Sequence, residues 1–269
     1  MSPSSPLRKP VWFAVAVVVI VAICGGFAAT GPAGTTAWNY VAMGDSYSSG
    51  VGTGSYTLDS TCKRSVYSYP YLFTQKHTMA SFTFVACSGA TTSDLISKQL
   101  PSLNAATNLV TMTIGGNDIG FANLIYQCTV SDCTTALLNT TANLSSTLGP
   151  PLDTTFNDVK QAAPNATVIV LGYPRVFSTS TCFGTLGITA TEEKDANALA
   201  DALDTLLSSY AAKYAFTYKS AITPWTGHAV CSSSPWLNGL NLFNTGESYH
   251  PNKAGHSSGY LPLVTAVTG

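Results

Sequence analysis

Three short apolar runs, each ending in a turn of small residues, constrain the fold more than any other feature of this sequence. The runs are Trp38–Met43, Phe82–Ala86 and Leu109–Ile114, and they lead into Gly44-Asp45-Ser46, Cys87-Ser88-Gly89 and Gly115-Gly116-Asn117. Aromatic and β-branched residues favour strands, and glycine-containing turns end them. In a parallel sheet, the carboxyl ends of such strands share the edge where open α/β folds bind ligands. The pattern therefore predicts that Ser46, Gly89 and Asn117 lie on one edge.

Two further strands and at least two long helical segments follow. Thr167–Leu171 is an uninterrupted apolar run, typical of a parallel strand covered on both faces, and Phe216–Ile222 is a weaker fifth strand. Leucines recur at helical spacing in Glu192–Tyr214, and Thr134–Ala162 has helical stretches that we expect Gly149-Pro150-Pro151 to interrupt. This alternation predicts an α/β fold, a single three-layer α/β/α domain with a parallel sheet of about five strands.

The N-terminus has the order of a secretory signal. Arg8 and Lys9 precede the uncharged run Val11–Cys24, and small residues follow it. A retained signal anchor and a lipoprotein signal are weaker alternatives, because the run is short for a membrane span and Ile23 does not fit the lipoprotein motif. We predict a signal peptide and short leader over residues 1–37, cleaved between about 29 and 37, and a secreted domain over residues 38–269.

Composition and cysteine count bound the partners and the compartment. Only 9% of the residues are charged and the formal net charge is −1, so no basic patch is available for nucleic acid. Of the seven cysteines, all but Cys24 follow the predicted signal, and an even number in an exported protein predicts three disulfides. Six cysteines can be joined into three disulfides in 15 ways. Proximity in the sequence suggests one of the bonds alone, Cys128 with Cys133. Zinc-binding spacings are lacking, so we predict no metal and no cofactor.

A late histidine complements the three turns chemically. His250 precedes a proline, which places it in extended or turn backbone. A serine hydroxyl becomes a good nucleophile when a base accepts its proton, and imidazole titrates in a suitable range. The oxyanion formed during acyl transfer needs fixed donors, which the amides of Ser46 and Gly89 and the side chain of Asn117 can supply. These residue types together predict acyl transfer.

Four sequence blocks resemble those of the SGNH hydrolases, also called GDSL lipases and esterases. The blocks are Gly44-Asp45-Ser46, Gly89, Gly115-Gly116-Asn117-Asp118 and His250-Pro251-Asn252, in the order of that family. Gly-Asp-Ser-Tyr with six cysteines is similar to the secreted actinobacterial branch. The resemblance implies a flavodoxin-like sheet, Ser46 as nucleophile, His250 as general base, and Ser46, Gly89 and Asn117 as the oxyanion hole. It also implies sequential disulfides, Cys62–Cys87, Cys128–Cys133 and Cys182–Cys231.

Glu247 departs from the pattern of that superfamily, most of which has Asp three residues before the histidine. Glu can orient an imidazole, although its extra methylene changes the reach of the carboxylate. In the branch resembled here a backbone carbonyl can take that role. Glu247 is therefore a candidate catalytic residue, and the choice between its side chain and a backbone carbonyl stays open.

The leading hypothesis is a secreted serine esterase or lipase, with glycerides and phospholipids both open as substrates. We expect a monomer that acts on an ester substrate and makes transient contact with a lipid interface. A carbohydrate acetylesterase is an alternative, because the superfamily also includes that activity. The fold alone does not distinguish an acetylesterase from a lipase. A non-catalytic exported binding protein on the same scaffold is a third, which the intact motif blocks disfavour.

Overall fold

The computed structural model describes Met1 and residues 37–178 and 180–269. The predicted signal and its cleavage site fall almost entirely on residues 2–36, outside the described part of the chain. Five parallel strands form one sheet in the order β2-β1-β3-β4-β5. They are β1 Trp38–Ala42, β2 Met79–Phe84, β3 Leu109–Met112, β4 Thr167–Leu171 and β5 Thr217–Lys219. The predicted parallel sheet of about five strands is confirmed.

The core lies on both faces of the central strands. All four residues of β3 are buried, as are the last four of β4. Because successive side chains in a strand point to opposite faces, this burial means that both faces of the sheet are covered. The edge strand β2 alternates between half-buried and exposed residues, and it begins at Met79 rather than at the predicted Phe82, because pairing with β1 extends to Trp38.

Seven α-helices occur in the described residues, together with short π and 3₁₀ turns. The helices are α1 Ser46–Ser49, α2 Tyr69–Thr74, α3 Thr92–Asp94, α4 Phe121–Cys128, α5 Thr134–Ala162, α6 Ala190–Lys213 and α7 Leu261–Thr268. A capping box at Thr189 and Glu192 begins α6, as the sequence indicates. None of these helices combines the length and the apolarity needed to cross a bilayer.

The predicted interruption of α5 is wrong, because Pro150 and Pro151 lie inside one continuous helix. Each proline in a helix interior costs about 3 kcal/mol. Four large side chains of the same helix are fully or almost fully buried, and burial of each contributes about 1.5–3 kcal/mol. They are Leu144, Leu148, Leu152 and Phe156. Gly149 also lets α5 approach Tyr210 of α6, so packing of the helix outweighs the two local defects.

Three disulfides cross-link the described chain, and they are the pairs that the resemblance implies. Cys62 bonds to Cys87, Cys128 to Cys133, and Cys182 to Cys231. The first joins the loop after α1 to the turn that follows β2. It therefore ties a long loop to the sheet edge that carries Gly89.

Candidate active site

A serine and a histidine meet at the carboxyl edge of the sheet. The Oγ atom of Ser46 lies 2.9 Å from Nε2 of His250, although the two residues are 204 positions apart in sequence. Both are buried, so little water competes for this hydrogen bond. A neutral imidazole in this position can accept the hydroxyl proton, which is the arrangement that an activated serine requires.

The turn between β1 and α1 fixes the position of Ser46. Gly44 has φ of 112°, a conformation that favours glycine, and its Cα packs against the backbone of Thr113 so closely that a Cβ would clash. Asp45 then caps α1, because its carboxylate accepts a hydrogen bond from the amide of Tyr47 at 3.0 Å. Ser46 is the first residue of that helix. Asp45 is thus an acceptor within the turn that positions Ser46.

Burial and a backbone carbonyl set the state of His250. Its Nδ1 lies 2.8 Å from the carbonyl oxygen of Ser248, which can only accept, so Nδ1 carries the proton and Nε2 is free to accept one. Burial lowers the pKa of His250 to about 4, with the Ser248 carbonyl acting in the opposite direction. The imidazole is therefore neutral, and competent as a base, well below neutral pH.

Glu247 does not contact the imidazole. Its Oε1 instead accepts a hydrogen bond from the hydroxyl of Tyr56 at 2.5 Å, and the acceptor behind His250 is the carbonyl of Ser248. The side-chain alternative for Glu247 is therefore not what this structure shows. The carboxylate points toward the loop after α1, where Tyr56 binds it.

Replacing Glu247 with Gln is expected to lower kcat by less than about tenfold, because the amide oxygen of Gln can still accept from Tyr56 and the Ser248 carbonyl is untouched. Triads that hold the wrong histidine tautomer lose about 10⁴ in kcat. Steady-state kinetics on a soluble p-nitrophenyl ester separate these outcomes. A loss approaching 10⁴ in a variant that melts normally would make the Glu247 carboxylate essential.

Tyr47 and Tyr173, which the sequence gives no reason to single out, connect the parts of the site. The hydroxyl of Tyr47 donates to the carbonyl of Tyr249 at 2.6 Å, so the residue after Ser46 holds the residue before His250. Tyr249 has φ of 60°, which is uncommon for a residue with a side chain and is maintained here by its neighbours. The hydroxyl of Tyr173 donates to the carboxylate of Asp45 and accepts from the amide of Gly116 at 3.2 Å.

This network makes Asp45 unusual for a carboxylate. Complete burial raises its pKa to about 6, although hydrogen bonds from Thr113, Tyr173 and Tyr47 act against the shift. Thr113 donates from its hydroxyl at 2.6 Å. Asp45 thereby links the first and third strand-end turns, and we attribute to it the alignment of those turns.

The three candidate oxyanion donors lie on adjacent turns. Within the described residues, the amides of Ser46 and Gly89 donate to no protein acceptor. Nδ2 of Asn117 donates one of its two N–H groups to the carbonyl of Ala90 at 3.0 Å, which leaves the other available. Ser46 and Asn117 line the same cavity, whereas Gly89 lies outside its lining. Gly89 is held near the Ser46 turn by Cys87, whose amide donates a hydrogen bond to the Gly44 carbonyl.

Replacing Asn117 with Ala is expected to lower kcat by about 10²–10³ with little change in KM, because a fixed donor to an oxyanion acts mainly in the transition state. Steady-state kinetics of a soluble ester measure both parameters. Asn123→Ala, on the exposed side of α4, is the matched control and should keep kcat within about twofold. Equal kcat values for the two variants would remove Asn117 from the oxyanion hole.

An apolar cavity adjoins the serine and is lined by residues from the helices α1, α4 and α6 and from the turns between elements. The side chains that line it beyond Ser46 and His250 include Tyr47, Phe121, Ala122, Ile125, Tyr173, Leu203 and Tyr249. The aromatic residues Phe121 and Tyr249 are part of this lining. Trp225 and Trp236 are not, because they pack against each other with ring centroids 5.5 Å apart.

This fold, with a serine and a histidine in contact beside an apolar cavity, defines an α/β serine hydrolase. A model of the GDSL-like Lipase/Acylhydrolase family matches residues 42–257. The chain belongs to this family and is a carboxylic ester hydrolase.

Relatives and solved structures from Streptomyces agree with this assignment. The chain is 44% identical to "Lipase 1" of Streptomyces coelicolor over 250 residues, which covers 91% of this chain and 92% of the relative. It is similar to the crystal structure of phospholipase A1 from Streptomyces albidoflavus, with 42% identity and a TM-score of 0.82 over 86% of this chain and 99% of that one. An extracellular lipase from Streptomyces rimosus gives 41% identity and a TM-score of 0.81, again over 86% of this chain and 99% of that one.

Proposed function

We propose that this protein is a secreted lipase that forms an acyl-enzyme on Ser46, with His250 as the general base. The observation that carries the proposal is the 2.9 Å contact between Ser46 Oγ and His250 Nε2, in a chain that is 44% identical to a lipase. The amides of Ser46 and Gly89 and the side chain of Asn117 are assigned as the oxyanion donors. The Ser248 carbonyl is assigned as the group that orients His250.

The reaction follows from these positions. Ser46 Oγ attacks the ester carbonyl carbon while its proton moves to Nε2 of His250. The oxyanion of the tetrahedral intermediate accepts hydrogen bonds from the three donors. Collapse of that intermediate breaks the bond to the alcohol, which leaves with the proton from Nε2. Water then attacks the acyl-enzyme, again giving a proton to Nε2, and release of the acid returns that proton to Ser46.

The apolar lining of the cavity favours the acyl chain as the part of the substrate that binds beside Ser46. Phe121, Ile125 and Leu203 offer it only hydrocarbon surface. Relatives of high identity are named lipases, and one solved structure is named a phospholipase A1. We therefore propose glycerides and phospholipids as the substrate class, in preference to acetylated polysaccharide.

Secretion is the second part of the proposal. An extracellular lipase is among the similar structures, residues 37–178 and 180–269 contain three disulfides, and residues 1–37 have the order of a signal peptide. Sequencing the N-terminus of protein recovered from culture medium tests it. A mature chain that begins between about residues 30 and 38 is expected, and intact residues 1–29 in membrane-bound protein would contradict it.

A panel of esters tests the proposed substrate class. Purified protein is assayed on p-nitrophenyl acetate, butyrate and decanoate, on phosphatidylcholine and a triglyceride, and on acetylated xylan. Higher kcat/KM for chains longer than acetate is expected, with hydrolysis of at least one of the two lipids. Activity confined to acetyl esters, with release of acetate from xylan, would instead support the acetylesterase.

A further inference from the structure

Three segments around the cavity are free of charged residues. They span residues 119–131, 180–191 and 229–246. Together they expose six large apolar side chains, which we term the apolar rim: Tyr126, Val130, Phe183, Leu186, Leu242 and Phe243. Their relative exposures run from 44% for Tyr126 to 104% for Phe243. Exposed apolar side chains in such a concentration mark an interaction surface.

Each segment is attached to residues that line the cavity beside Ser46. Tyr126 follows Ile125, a lining residue, on α4. The carbonyl of Gly184, next to Phe183, accepts a hydrogen bond from the hydroxyl of Tyr249 at 3.2 Å. The amide of Asn241, next to Leu242, donates to Ser248 Oγ at 2.9 Å. All three segments that carry the apolar rim are therefore attached to the wall of the cavity.

The three segments also contact one another. The amide of Leu240 donates to the carbonyl of Gly184 at 3.0 Å, which joins the second segment to the third. Gly187 packs against the carbonyl of Thr129, which joins the second segment to the first. The six side chains are thus carried by three segments that are joined to one another.

We propose that the apolar rim docks onto the surface of an uncharged or zwitterionic lipid aggregate, from which an acyl chain passes directly into the cavity. This inference rests on the proposed function. Transfer of a large apolar side chain from water into the acyl boundary of a lipid surface is favourable, and these segments carry no charge that would have to be desolvated. The attachment of all three segments to cavity-lining residues favours the substrate aggregate over a second copy of the chain.

Binding to lipid vesicles tests the proposal. The measurement uses Ser46→Ala protein, which does not hydrolyse the lipid during the assay. Sedimentation with phosphatidylcholine vesicles gives the apparent Kd. Leu242→Ser/Phe243→Ser in this background is expected to raise the apparent Kd at least about tenfold, because two exposed apolar side chains no longer enter the lipid. Binding should not weaken when NaCl is raised to about 0.5 M, since screening acts on charges.

A matched substitution outside the apolar rim provides the control. Leu58 is also exposed but lies beside Asp59 in the loop after α1, and Leu58→Ser should leave the apparent Kd within about twofold. Equal effects of Leu58→Ser and Leu242→Ser would overturn the proposal. So would a concentration-dependent dimer that Phe243→Ser dissociates, because the apolar rim would then be an interface between copies.

Failure of the docking proposal can be told apart from failure of the proposed function. The parent protein and the Leu242→Ser/Phe243→Ser variant are both assayed on monomeric p-nitrophenyl butyrate and on phosphatidylcholine vesicles. We expect equal rates on the soluble ester and at least about a tenfold lower rate of the variant on vesicles. Equal rates on both substrates would reject the apolar rim alone, whereas no hydrolysis of either by the parent would reject the function.

Discussion

Replacing Ser46 with Ala is expected to lower kcat on soluble esters by about 10⁶, to a residual rate set by substrate binding and the oxyanion donors. Loss of the serine in a serine hydrolase has an effect of about this size, because the covalent route is closed. The hydroxyl of Ser46 has His250 as its hydrogen-bond partner within the described chain, so little structural stability depends on it. We expect the melting temperature to stay within a few degrees of the parent.

Ser49→Ala is the matched control for this prediction. Ser49 lies on the same short helix and is also buried, and its hydroxyl makes only a long contact of 3.4 Å with the Ser46 carbonyl. We expect it to keep kcat within about threefold. More than about 1% of the parental kcat in highly purified Ser46→Ala protein would place the nucleophile elsewhere. A fluorophosphonate probe gives an independent measure, since it should label the parent and not the variant.

The sheet could be predicted because its central strands are buried on both faces. Strands such as Leu109–Met112 and Thr167–Leu171 must be apolar at every position, and a continuous apolar run is visible in one sequence. The edge strand Met79–Phe84 carries exposed residues, so the sequence shows only part of it. Local sequence preferences could not predict a continuous helix through Pro150, because tertiary packing determines whether the helix continues.

The candidate site was predictable where the chemistry needs a particular side chain. Ser46, Asn117 and His250 carry functional groups that few residue types offer, and the structure brings all three to one sheet edge. The hydrogen-bond acceptor of His250 Nδ1 is a backbone carbonyl rather than a side chain. Every residue has a carbonyl, so nothing in the sequence marks Ser248, and only the backbone conformation after Glu247 aims its oxygen at Nδ1.

Tyrosine hydroxyls were missed for a related reason. Tyr173 lies two residues after the fourth strand, and its hydroxyl donates a hydrogen bond to Asp45, 128 positions away in sequence. A tyrosine in an apolar context is usually interpreted as core, and its polar partner depends on strand order, which a sequence pattern does not fix. Residues that position others therefore carry a weaker sequence signal than residues that react.

Replacing His250 with Ala is expected to lower kcat to nearly the level of Ser46→Ala, and the double variant Ser46→Ala/His250→Ala is expected to lose little more. Nucleophile and base act as one unit, so removing either disables the other and the two effects do not multiply. Single-turnover kinetics on p-nitrophenyl butyrate at several pH values measure this. A double variant lower than either single variant by a further factor of 10³ or more would show that the two residues act independently.

The pH dependence gives His250 a second signature. In the parent, burial lowers the pKa of His250 to about 4, so the base stays neutral and its protonation should cause no fall in kcat/KM between pH 7 and about 5. Below about pH 4 the imidazolium cannot accept the Ser46 proton, and the rate should fall about tenfold per pH unit. The His250→Ala variant has no such group, and its residual rate should lack that acid limb. An acid limb of unchanged position in His250→Ala, with both proteins folded by circular dichroism, would assign the base to another residue.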